Sequence, residues 1–168
     1  DHYNPMTRTL ALSPDVYHGR SVAAAAIAAH EVGHAIQHAQ GYALLHLRSA
    51  LVPLASIGSG IGPLVVFASL FLGGAQAGGL GEIAAWIGVS LFGASTLFTF
   101  ITLPVEFDAS NRAKALLPQI GLTAGADEDR GVAKVLNAAA LTYLAAAVTS
   151  LLMLLYWAFR AGLIGGRD

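Results

Sequence analysis

The chain has no cysteine, which excludes disulfides and thiolate metal sites while leaving the redox compartment open. Charge is scarce too. Asp, Glu, Lys and Arg make up 11% of the 168 residues, against about 25% in soluble globular domains. With a formal net charge of −1 there is no basic surplus for nucleic acid, and no nucleic-acid partner is expected. The sequence starts at Asp1 with no signal peptide in view. From Ser49 to Gly81 no residue is charged. What the chain does have is apolar and small: 55% of it is hydrophobic and 19 residues are glycine, a composition suited to helices packing closely in lipid.

Residues 51–72 are long enough to cross a bilayer, which takes about 20 residues. The tract from Gly73 to Gly79 reads as a turn. Residues 83–103 form a second uncharged span that ends at Pro104, and residues 138–159 form a third, entered from the polar segment 127–137. The first two spans make a hairpin with its turn on the far side, so the polar stretches 1–48 and 104–134 fall on one side of the membrane. Arg8, Arg20, Arg48, Arg112, Lys114, Arg130 and Lys134 lie on that side, and only Arg160 and Arg167 lie beyond the third span. This asymmetry predicts that the polar side is cytoplasmic.

The first 21 residues are turn-rich, with Asn4-Pro5 and Ser13-Pro14 as breakers, and residues 7–12 predict a short strand between them. A helix is predicted after Ser21 as N-cap, running to about Gln40, with Gly41 as its natural stop. Its second half holds His30-Glu31-Val32-Gly33-His34. Histidines four apart lie one turn above each other on one helix face, so His30 and His34 can reach a single zinc ion. Glu31 then sits where a general base is needed. Gly33, lacking a side chain, suits a close approach by a neighbouring element.

Catalytic zinc takes three protein ligands and keeps a place for water, so a third ligand must come from elsewhere. His38 continues the stripe, but it is eight residues from His30, about 12 Å along the axis. It reads as a polar residue flanking the site. Glu106 lies three residues past the second span, about 4.5 Å further if the helix continues. Asp108 is its rival, about 200° around the helix from it, so only one of the two faces the metal. Spacing alone does not separate them. An oxyanion-stabilising donor is also required, and Tyr17, His18, Tyr42, His46, Asn111 and Arg112 qualify by type. None is favoured by position. The predicted strand at residues 7–12 offers an edge on which an extended peptide can add.

The chain resembles the YugP-type membrane zinc metallopeptidases over essentially its whole length. The likeness is carried by Asp1-His2-Tyr3, Tyr17-His18-Gly19-Arg20-Ser21 and His30-Glu31-Val32-Gly33-His34-Ala35-Ile36-Gln37. It continues in Leu103-Pro104-Val105-Glu106-Phe107-Asp108-Ala109-Ser110-Asn111-Arg112-Ala113 and Val135-Leu136-Asn137-Ala138-Ala139-Ala140-Leu141-Thr142-Tyr143. That family is similar to the glutamate-ligand zincins, in which a second helix supplies a zinc-binding glutamate. The resemblance maps this ligand onto Glu106. In several such peptidases an aspartate four residues later supports a zinc histidine. Here that place holds Ser110, with Asp108 a possible substitute for the aspartate. Family members also carry an N-terminal membrane helix, which implies one upstream of Asp1.

The fold expected is an all-α membrane protein: three transmembrane helices and a small zincin-like helical domain at the membrane surface, with a short N-terminal strand, all as one domain over residues 1–168. The function expected is that of a metalloendopeptidase of the bacterial cell membrane acting on peptides or membrane proteins. It would hold one zinc per chain on His30, His34 and Glu106, with Glu31 as base toward a zinc-activated water. Two other readings compete. One is a scaffold or regulatory protein stabilised by zinc without turnover, against which an intact Glu31 argues. The other is a metal transporter, against which the uncharged spans argue.

Overall fold

Ser21 ends an extended segment, and its Oγ accepts a hydrogen bond from Ala24 N at 3.1 Å, so the motif helix starts where the sequence predicts. A computed structural model describes residues 1–77 and 79–165. The motif helix, α2, covers Val22–Ala39. Beyond it Gly41 takes φ +67°, while Gly41 N donates to His38 O and Tyr42 N to Gln37 O, which satisfies carbonyls of the last turn.

Before α2 the chain forms β1 (His2–Asn4), β2 (Thr9–Ala11) and a short helix α1 (Pro14–Tyr17). The strands pair antiparallel with Asn4 opposite Thr9, leaving residues 5–8 as a four-residue loop. Asn4 Oδ1 accepts from Met6 N and Thr7 N and so fixes that loop. The sequence predicted one strand over residues 7–12. The structure has a hairpin, with the strand confined to residues 9–11 because the turn takes the residues before it.

Three long helices follow: α3 (Ala43–Phe71), α4 (Gly79–Gln119) and α5 (Ala126–Arg160), with a 3₁₀ turn at Gly74–Ala77 between α3 and α4. All three are long and apolar enough to cross a membrane. Each also runs beyond its predicted span. In α4 the helix passes through Pro104, which interrupts one backbone hydrogen bond without ending the element. At the start of α5 the acidic residues Asp127, Glu128 and Asp129 occupy the first turn, where the helix dipole favours them. Glu128 accepts from Ala124 N and Asp129 from Thr123 Oγ1, so the polar segment is helical rather than a linker. Gly78 of the predicted turn and Arg167 of the basic-residue comparison lie outside the described residues.

The chain divides into two units. One comprises Asp1–Leu47 and Thr102–Leu144. Its core is Ala26 and Ala29 of α2, Ala113 and Leu117 of α4, and Val132 and Leu136 of α5. Here α2 and α4 approach backbone to backbone: a Cβ built on Gly33 would lie 2.5 Å from Ala109 O. The other unit comprises Arg48–Ile101 and the chain from Ala145 onward. Glycines let α3 and α4 approach there too, since Cβ atoms on Gly58 and Gly88 would run into Leu91 and Val66. Thr96 Oγ1 and Ser150 Oγ, 2.9 Å apart, join α4 to α5. In the most apolar stretches of α3, α4 and α5 only 22%, 22% and 11% of residues are buried within the protein. Their outward side chains, such as Leu64, Phe67 and Phe71, therefore require an apolar solvent, which a bilayer supplies.

Substitution of Gly33 by alanine forces a methyl into the Ala109 carbonyl, and overpacking of this kind costs about 1–3 kcal/mol. Thermal unfolding in detergent is expected to show a lowered midpoint for Gly33→Ala. The same change at Gly60, where a Cβ meets nothing within 4 Å, is expected to leave the midpoint in place.

Candidate metal centre

The Gly33–Ala109 contact faces the middle of the motif, with His30 and His34 one to three residues from Gly33 on α2 and Glu106 three residues before Ala109 on α4. His30 Nε2 stands 3.1 Å and His34 Nε2 3.6 Å from Glu106 Oε2. One donor atom from each residue lies within 4.8 Å of the others. A tetrahedral zinc with ligands at about 2.1 Å has ligand-to-ligand edges of about 3.4 Å. The two measured edges bracket that value. Two imidazoles and one carboxylate also match the donor types zinc takes in catalytic sites. In donor type and in these two edges the residues present fit a zinc ion.

Each imidazole is held from behind. His30 Nδ1 lies 3.1 Å from Ser110 Oγ, and His34 Nδ1 lies 3.0 Å from Gln37 Oε1. The Gln37 amide has a defined orientation: its Nε2 donates to Val105 O and to Asp108 Oδ2, each at 2.8 Å. Turning it over would set oxygen against two acceptors, so its carbonyl oxygen faces His34. His34 Nδ1 must then carry a hydrogen, so that Nε2, on the Glu106 side, is the nitrogen that gives up its proton to bind a metal. Asp108 in turn accepts from Arg112 Nε at 2.5 Å, and Arg112 Nη1 donates to Gln40 Oε1 at 2.6 Å.

Of the two acidic candidates on α4, Glu106 is buried beside the histidines, while Asp108 faces Gln37 and Arg112. Glu31 is buried on α2 and accepts no hydrogen bond from another described residue, so its carboxylate keeps its acceptor capacity. His38 is outside the cluster; its Nδ1 is 2.8 Å from Tyr3 Oη, and its ring meets that of His46 edge-on. Among the oxyanion candidates, Arg112 is committed to Asp108 and Gln40, and Tyr17 packs edge-on against His18. None is assigned that role. Gln37 was not singled out from the sequence, although its place three residues after His34 puts it on the same helix face. Ser110 stands where the resemblance led one to look for an aspartate, and its hydroxyl occupies the position behind His30.

Comparison with known proteins bears on what this cluster is. The family model described as "Putative neutral zinc metallopeptidase" matches residues 1–162. The chain belongs to this family. A relative from Bacillus subtilis (strain 168), described as "Putative membrane protease YugP", is 48% identical over 168 residues, covering all of this chain and 70% of the relative. No solved structure matches. The family description implies zinc, and the cluster of His30, His34 and Glu106 offers a place for it.

Burial pushes the His34 imidazole down, but the hydrogen bond and charge of Glu106, helped by Gln37 and by the charge of Glu31, outweigh it and leave the pKa above its ordinary value. In metal-free protein this protonated imidazole stabilises the fold below its unfolded pKa, and the contribution is lost as pH rises through the raised value. Zinc needs the unprotonated nitrogen, so the sign reverses for loading. Zinc affinity, read by competition with a chelator, is expected to fall about tenfold per pH unit once the solution is more acidic than the raised His34 value. Gln37→Leu removes the acceptor that orients His34, and zinc affinity at neutral pH is expected to fall about 10- to 100-fold.

Proposed function

We propose that the protein is a membrane-embedded zinc metalloendopeptidase that binds one zinc per chain through His30, His34 and Glu106. The observation that carries this reading is the convergence of the two Nε2 atoms on Glu106 Oε2 at 3.1 and 3.6 Å, with both Nδ1 atoms engaged behind. A purely structural zinc site has four protein ligands and no need of a base, whereas this cluster has three with Glu31 beside it.

Zinc in such a site acidifies water and polarises a peptide carbonyl. The remaining work belongs to the chain. Glu31 accepts the proton of the attacking water and delivers it to the leaving amine. Ser110 and Gln37 hold the two imidazoles with Nε2 forward, so no reorientation is needed during turnover. The free edges of the N-terminal hairpin offer backbone groups on which an extended substrate adds as a strand.

The substrate is a peptide or a segment of a membrane protein, cut at the membrane surface rather than within the bilayer. Support comes from Glu106 lying just past the uncharged stretch of α4, and from the absence of charge within the spans. The excess of Lys and Arg within residues 1–48 and 104–134 supports a cytoplasmic catalytic side in a bacterial cell membrane.

Purified protein is expected to contain one zinc per chain and to cleave peptides. Glu31→Gln is expected to keep the zinc and lose about 10²–10⁴-fold of the turnover, the range for a general base. A Glu31→Gln form as active as the parent would overturn the reading, as would a parent that binds zinc but cleaves nothing in a broad peptide pool.

A further inference from the structure

One to two turns along α2 from Glu31, the hairpin and α2 line an open cavity of about 280 Å³ formed by Tyr3, Arg8, Ala35, His38 and Ala39. We propose that this cavity is a subsite for a carboxylate of the substrate, with Arg8 as its charged anchor. The inference rests on the peptidase reading and names the substrate chemistry that the site selects.

Glu31, Ala35 and Ala39 follow one another at intervals of four residues, so they form one ridge of α2. The cavity floor is therefore the continuation of the ridge that carries the proposed base, one to two turns away. At about 1.5 Å per residue that is about 6–12 Å along the axis. An extended peptide rises about 3.3 Å per residue, so a group two to four residues from the scissile bond reaches this depth.

The lining selects for charge. No acidic side chain lines the cavity, and Arg8 has no carboxylate partner among the described residues. Its guanidinium offers a fork of donors that matches a carboxylate in two contacts. Tyr3 Oη is bonded to His38 Nδ1 at 2.8 Å, which fixes both rings in the wall and leaves Nε2 as the remaining polar atom of His38. The two alanines provide a smooth base against which the methylenes of a Glu side chain or the backbone of a chain end can rest. Arg8 is also the only non-glycine among the described residues with a positive φ, +54°, at the point where the four-residue loop enters β2. The loop is tied by Asn4 Oδ1, so Arg8 is presented by a fixed turn rather than by a floppy one.

Two sources can provide the carboxylate: an acidic side chain, or the free C-terminus of a short peptide. Binding is measured with full-length, zinc-loaded Glu31→Gln protein, which does not consume its ligand. The probes are fluorescent hexapeptides in matched sets, with Glu or Gln at successive positions and with the C-terminus free or amidated. At low ionic strength one carboxylate position is expected to bind at least about tenfold tighter than its neutral counterpart. Loss of the preference on Glu-to-Gln exchange identifies a side chain, and loss on amidation identifies a chain end. Arg8→Gln is expected to abolish the preference, and Arg8→Glu to favour peptides carrying Lys at the same position. Zinc content and unfolding midpoint of the Arg8 variants serve as the check on folding. An equal response of acidic and neutral peptides, or a preference unchanged in folded Arg8→Gln, would overturn the proposal. Because binding is read without turnover, a protein that cleaves no peptide would sink the peptidase reading and leave the carboxylate preference to be scored by itself.

Discussion

Two helices whose chemistry lies more than seventy residues apart in sequence meet where Gly33 leaves room for the Ala109 carbonyl. A side chain at position 33 would run into the Ala109 carbonyl and strain the close approach of α2 to α4 on which the spacing of the imidazoles and the Glu106 carboxylate depends. Helix pairs usually separate by 8–10 Å, depending on the side chains between them. A glycine facing a backbone carbonyl lies at the short end of that range. The glycine inside the pentapeptide is thus part of the packing that makes the motif useful, while the histidines on either side carry the chemistry.

That proximity creates an electrostatic problem which the neighbouring residues resolve. A buried carboxylate is costly unless paired or hydrogen-bonded. Glu106 lies against His30 and His34, and the raised pKa of His34 expresses their mutual attraction. A divalent cation in the same place would meet that need more fully and would displace the proton. Behind the imidazoles, Ser110 acts alone on His30, while Gln37 relays between His34, the Val105 carbonyl and Asp108. Arg112 closes the relay by neutralising Asp108, which ties it back to the end of α2 through Gln40. The acidic residue that spacing offered as an alternative ligand thus has a different partner set.

Periodicity and composition made the motif helix and the three apolar helices legible in the sequence, because cap chemistry and long uncharged runs are local signals. Ser21 and Gly41 bound α2 as their residue types suggest. The nearness of Glu106 was legible from chain return and from the resemblance, but not from spacing alone. What stayed hidden depends on tertiary context. The continuation of α4 past Pro104 reflects a helix supported on both sides of the proline. The first strand of the hairpin has only three residues and gains its identity from pairing with the second. Gln37 reads as an ordinary polar helix residue until Val105 and Asp108 arrive to fix its amide.

The central claim is that one metal ion is held by two imidazoles from α2 and one carboxylate from α4. X-ray absorption at the zinc edge of the full-length protein tests it most directly. The account predicts a shell of nitrogen and oxygen at about 2.0–2.2 Å with the outer scattering of two imidazoles, altered when Glu106 is replaced by Gln. A shell with fewer than two imidazoles, or a spectrum indifferent to that replacement, would contradict it.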